Sequence, residues 1–106
     1  MKKLMFVPPV EVATEAKKGL AFRKRFGRGG TSVGLARGRQ LAERKKVSAR
    51  VILRMYSYFL RLYVDKRGKI YGNEEKPFNG YIAWLLWGGD SGASWASDMR
   101  KKIREQ

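Results

Sequence analysis

The sequence predicts an all-α domain of four to five helices, formed by residues 1–106 as a single unit. Apolar residues recur at spacings of three and four in several segments, as they do on one face of a helix. Glycine, proline and N-capping residues separate these segments. With 106 residues, 43% of them hydrophobic, the chain is long enough to bury one modest core.

The first helix is predicted over residues 9–26, after a short N-terminal tail at 1–8. Pro9 suits the first turn of a helix, because that turn leaves its N–H groups unpaired. Gly27 suits the left-handed residue that commonly ends a helix. The apolar stripe of this helix consists of Ala13, Ala16 and Leu20.

A second helix is predicted over residues 32–45, with Thr31 or Ser32 as its N-cap. Two glycines, Gly34 and Gly38, lie inside this segment, and each costs about 1 kcal/mol relative to Ala in a helix. They would allow another helix to pack closely against this one.

The third helix, over residues 49–66, has the strongest pattern in the chain, and Ser48 is its expected N-cap. Outside one polar stripe the helix is apolar, which predicts a central, buried helix. One narrow polar stripe runs along it and consists of Arg50, Arg54, Ser57, Arg61 and Asp65.

The remaining chain predicts a loop and two further helices. Residues 67–79 are rich in turn formers, and YIAWLLW at 81–87 is apolar on every side, as an internal helix would be. Asp90 or Ser91 is expected to cap a last helix, whose basic end occupies residues 100–106.

The net charge of +15 indicates an anionic partner. Residues 17–54 carry thirteen Lys and Arg and one acidic residue, Glu43, and so account for +12 of that charge. Nucleic acid, with duplex DNA first, is the predicted partner, while an acidic protein or simple solubility remains open as an alternative. The predicted phosphate contacts are Arg28, Arg37, Arg39, Arg44, Lys45, Lys46, Arg50 and Arg54.

Residues 40–55 have the pattern of a helix-turn-helix motif. An apolar segment, a short basic turn and a Ser48 cap precede Arg50 and Arg54 on the second helix, where such motifs contact DNA. Lys46 stands near the position where a turn glycine is usual, and the second helix is long for a recognition helix. An ordinary helical hairpin therefore remains the alternative.

The glycine-rich segment FGRGGTSVG, at 26–34, is a candidate phosphate loop formed by Gly29, Gly30, Thr31 and Ser32. It lacks the spacing of a P-loop, so nucleotide hydrolysis is not predicted. Its backbone N–H groups, at a helix N-terminus, could hold one phosphate of a nucleic-acid backbone. The alternative is a hinge in which glycine provides positive φ angles.

The absence of Cys and His removes zinc fingers, disulfides and Cys–His nucleophiles, so no cofactor or metal is predicted. The remote enzymatic alternative is a metal-dependent nuclease, in which two carboxylates hold Mg²⁺ and a lysine stabilises phosphate charge. Its candidate residues are Asp65, Glu74, Glu75 and Lys76. They fall in a loop context rather than on strands, so the chain is not expected to be an enzyme.

Three segments resemble a small domain of tailed phages and prophages that has no assigned activity: GRGGTSVGLARGRQLAER, ILRMYSYFLRLYVDK and GYIAWLLWGGDSGASWA. The resemblance implies either a DNA-binding accessory protein or a structural, head-associated virion protein that packs against DNA or acidic capsid surfaces. It implies a location in the host cytoplasm or the virion. The initial apolar run is too short for a signal peptide, and no membrane association is expected.

Overall fold

The computed structural model describes residues 4–65 and 79–105, with the backbone alone for 63–65. In these residues five helices surround one core, which confirms the predicted all-α fold, and a two-stranded sheet joins the segment before α1 to the connection between α2 and α3. The predicted loop at 67–79 lies outside the described residues, except for Asn79. The elements are β1 (Met5–Phe6), α1 (Val10–Phe26), α2 (Ser32–Ala42), β2 (Val47–Ser48), α3 (Ala49–Asp65), α4 (Asn79–Leu86) and α5 (Gly89–Arg104).

The boundaries between α1 and α2 lie where local chemistry predicted them. Gly27 has a φ of 66°, and its N–H donates to the Arg23 carbonyl at 2.8 Å, which ends α1. Thr31 caps α2, because its hydroxyl accepts a hydrogen bond from the Gly34 N–H at 3.1 Å. Both predictions are confirmed.

The predicted extent of α2 to residue 45 is wrong, because the helix ends at Ala42. Arg44 then takes a left-handed conformation with a φ of 53°. Its side-chain Nε donates to the Pro8 carbonyl at 2.8 Å, so a contact 36 residues away fixes the turn. The extended backbone of β2 follows this turn.

Helix α4 packs closely against glycines of α1 and α2. A Cβ added at Gly19 would lie 2.8 Å from the backbone nitrogen of Leu86, and one at Gly38 would lie 2.7 Å from the Leu86 Cδ2. Leu86 is fully buried. The internal glycines of α2 therefore serve close helix packing, as their positions suggested.

Helix α3 packs mainly on α5, on the other side of the core. Ile52 and Met55 are fully buried, and Trp95 contributes from α5. The predicted cap of α5 at Asp90 or Ser91 is wrong, because the helix begins at Gly89 and Asp90 lies in its first turn.

The N-terminal segment is attached to the turn between α2 and α3. Strand β1 pairs with β2 in antiparallel register, Met5 opposite Ser48 and Phe6 opposite Val47. No pattern in residues 1–8 predicted this pairing. It places β1 beside the basic turn that precedes α3.

Candidate nucleic-acid interface

Four residues of the polar stripe of α3 line a surface groove of about 490 Å³, which we call the arginine groove: Arg50, Arg54, Ser57 and Arg61. Val33, in the first turn of α2, and Trp87, after α4, form the other walls. The groove has the volume of a ligand site, and the described residues that line it include no carboxylate. Its lining residues are Val33, Arg50, Leu53, Arg54, Ser57, Tyr58, Arg61 and Trp87.

Two stacked aromatic rings form an apolar part of the groove wall. The ring centres of Tyr58 and Trp87 are 4.8 Å apart, with 14° between the ring planes. Trp87 is 9% exposed, and burial raises the pKa of Tyr58 well above its ordinary value. The stacked pair is therefore a rigid base beneath the cationic side chains.

Arg37 extends from α2 over this base. Its guanidinium carbon lies 5.6 Å from the centre of the Trp87 ring, and its Nη1 donates to the Gln40 Oε1. Its Nε is buried and has no hydrogen-bond partner among the described residues. Burial, and secondarily the nearby charge of Arg54, lower the pKa of Arg37.

The structure thus brings together three of the eight predicted contact residues. Arg50 and Arg54 line the arginine groove, and Arg37 adjoins it. Arg61 belongs to the same groove but was not among the predicted contacts, although its place in the polar stripe of α3 was visible. Trp87 could not have been assigned from the stripe, because it reaches the groove from another part of the chain.

A second group lies on the turn between α2 and α3. Lys45 and Lys46 are exposed, and Lys45 forms an ion pair with Glu43 at 3.0 Å. Both side chains of this pair are more than half exposed, so the pair contributes little to stability. Arg44 serves partly as a structural residue through its hydrogen bond to Pro8.

The remaining two predicted residues are separate from these groups. Arg39 is exposed on α2. Arg28 donates to the Asn79 side-chain oxygen at 2.7 Å and lies over the Phe26 ring. Since Asn79 begins α4 and Trp87 follows it, Arg28 is about 12 Å from the groove along the axis of α4.

The candidate phosphate loop packs against α4. Gly29 and Gly30 have φ values of 100° and 79°, and a Cβ at either would lie within 2.7 Å of an Ile82 or Leu86 side-chain atom. The Thr31 hydroxyl is used as the α2 cap. Packing therefore accounts for both glycines, and phosphate binding by this loop stays a prediction.

Residues 40–55 contain two helices and a turn, but the two helices do not pack together as in a helix-turn-helix motif. Helix α2 packs mainly on α1 and α4, whereas α3 packs mainly on α5. The connection is also longer than the usual turn, since it contains β2. Helices α2 and α3 therefore do not have the helix-turn-helix geometry that the sequence predicted. The polar side of α3 lines the arginine groove instead.

Comparison of the chain with protein-family models, curated proteins and solved structures found no match. Among the described residues, no group of three acidic residues could hold a metal ion, and Glu74, Glu75 and Lys76 lie outside them. No helix in the described part of the chain is long and apolar enough to cross a bilayer.

Proposed function

We propose that this protein binds nucleic acid, with duplex DNA as the first candidate, by contacting backbone phosphates without reading the base sequence. The observation that supports this proposal is a cationic surface on α2, the turn and α3 whose basic side chains form almost no ion pairs with carboxylates. Among the side chains that the structure describes from Ser32 to Leu62, Lys45 and Glu43 form the only ion pair between a basic residue and a carboxylate. Such a surface repels itself until an anion is bound.

The arrangement of the cations supports phosphate contacts rather than base recognition. Lys45 and Lys46 project from the turn, and Arg50 and Arg54 follow along α3. Residues four apart on a helix rise by about 6 Å, which spans roughly two phosphates of one DNA strand. Helices α2 and α3 do not pack together as the two helices of a helix-turn-helix motif, which hold the recognition helix in the major groove.

Binding to a labelled random-sequence duplex, followed by fluorescence anisotropy across a salt series, tests this proposal. If six basic residues contact phosphates, the logarithm of the affinity should fall against the logarithm of the salt concentration with a slope of roughly −5. A second duplex of unrelated sequence should bind with similar affinity. Single-stranded DNA of the same sequence is the control, and its affinity is compared with that of the duplex.

The test variant changes Lys45, Lys46 and Arg50 to Glu. The matched control changes Lys101, Lys102 and Arg104 to Glu, which are all exposed on the last turns of α5. Each triple reversal lowers the net charge by six, from +15 to +9. We expect the test variant to lose far more affinity and about three units of slope.

Two outcomes would contradict the proposal. Equal losses in both variants would mean that total charge alone attracts DNA. Absence of wild-type binding at 100 mM salt, on the order of physiological ionic strength, would instead favour an acidic protein partner, such as the capsid surface that the phage resemblance implies.

A further inference from the structure

Four arginine side chains line or adjoin the arginine groove. Arg50, Arg54 and Arg61 lie along one side of α3, about 6 and 10 Å apart along the helix axis. Arg37 approaches from α2, and the described residues that line the groove include no carboxylate. The groove therefore places like charges close together.

Arg37 is held in place before any ligand arrives. Stacking over Trp87 and the hydrogen bond to Gln40 fix its guanidinium, and its buried Nε has no hydrogen-bond partner among the described residues. The charge of Arg54 is near enough to lower the pKa of Arg37, in addition to the larger effect of burial. Both guanidinium groups would be stabilised by an anion placed between them.

We infer that the arginine groove is a phosphate-binding site, in which Arg37 and Arg54 hold one phosphate group and Arg50 and Arg61 flank it. A guanidinium fork matches the oxygens of a phosphate in geometry and charge. The inference deepens the proposed function, on which it rests for the natural ligand, a phosphodiester of the bound nucleic acid. The same chemistry would also accept a free phosphate.

Pyrophosphate is the probe for the site, because it carries the same oxyanions and can be added without DNA. Thermal unfolding of the full chain is followed with pyrophosphate, and separately with sodium chloride at matched ionic strength. We expect pyrophosphate to raise the melting temperature by several degrees beyond the salt control, because it binds the folded state.

Two variants, Arg54→Met and Arg37→Met, keep most of the aliphatic side chain and remove the charge. Arg39→Met, at an exposed position of the same helix as Arg37, is the matched control. Without a ligand, Arg54→Met should melt at or above the wild-type temperature, since it removes repulsion. With pyrophosphate, the groove variants should lose the increase, whereas Arg39→Met should keep it.

A structural role for these arginines would give the opposite pattern. If Arg54→Met melts lower without a ligand and still responds fully to pyrophosphate, the inference is wrong. NMR provides a second readout, because the Arg37 Nε–H resonance should shift on adding pyrophosphate and stay unchanged with sodium chloride.

The outcomes separate this inference from the proposed function. If Arg54→Met and Arg39→Met bind duplex DNA equally well and pyrophosphate has no effect, the groove is not a phosphate site, although the nucleic-acid proposal stands. If pyrophosphate binds in the groove but the wild-type protein does not bind DNA, the site holds a free phosphate compound and the nucleic-acid proposal fails.

Discussion

Gly19→Ala is a sharp test of the helix packing that supports the groove. In an exposed helix this change would stabilise the fold by about 1 kcal/mol, through helix propensity. At Gly19, however, the new Cβ would lie 2.8 Å from the Leu86 backbone nitrogen and 2.9 Å from the Leu85 Cβ. Neither atom can move away by side-chain rotation, so α1 and α4 must separate.

The expected cost follows from these two terms. Overpacking of a well-packed core costs about 3 kcal/mol at the upper end of its usual range, so the net destabilisation should be about 2 kcal/mol. For a chain of this size the melting temperature should fall by roughly 10 °C. Urea unfolding followed by circular dichroism measures the free energy directly.

Ala21→Gly is the matched control for helix propensity, because Ala21 is exposed on the same helix. It should lose about 1 kcal/mol with no change in packing. If Gly19→Ala is as stable as the wild type or more stable, the close approach of α1 and α4 is refuted. The explanation of the other glycines that face Leu86 would then fail as well.

Three further predictions concern the cap, the aromatic stack and the turn. Thr31→Ala should cost about 1 kcal/mol in urea unfolding, whereas Thr31→Ser, which keeps the hydroxyl, should cost much less. Burial raises the pKa of Tyr58 in the folded state, so its contribution to stability is present below about pH 10 and declines as the pH rises further. Tyr58→Phe removes the ionisable hydroxyl, and the loss of stability at alkaline pH, measured by urea unfolding, should therefore be smaller in this variant. Arg44→Val should melt lower than Arg44→Asn, since β-branched residues fit a φ of 53° poorly and asparagine tolerates it.

Local chemistry was sufficient to predict the helix boundaries at Gly27 and Thr31. In both cases the signal and its structural effect lie within four residues of each other. The end of α2 was not predictable in this way. Glu43 and Arg44 are good helix formers, and a hydrogen bond from Arg44 to the distant Pro8 fixes the turn there.

Local helix geometry also allowed part of the candidate site to be predicted from the sequence. The spacing of Arg50, Arg54 and Arg61 places them on one stripe by helix geometry alone. The groove also needs Trp87 and Arg37, which meet α3 through tertiary packing. The glycine-rich segment was ambiguous in the sequence, because its pattern is typical of phosphate loops and equally of close helix packing.

Because β1 pairs with β2, hydrogen exchange in β1 reports on the basic turn. The register places Met5 opposite Ser48, so opening of the turn also breaks the backbone pairing of β1. Local opening exposes amides to hydrogen exchange, and a ligand that binds the closed turn suppresses that opening. Because antiparallel pairs alternate between hydrogen-bonded and non-hydrogen-bonded, one of the consecutive Met5 and Phe6 amides donates to β2. The exchange rate of that amide should slow when an anion occupies the turn, although neither residue is basic.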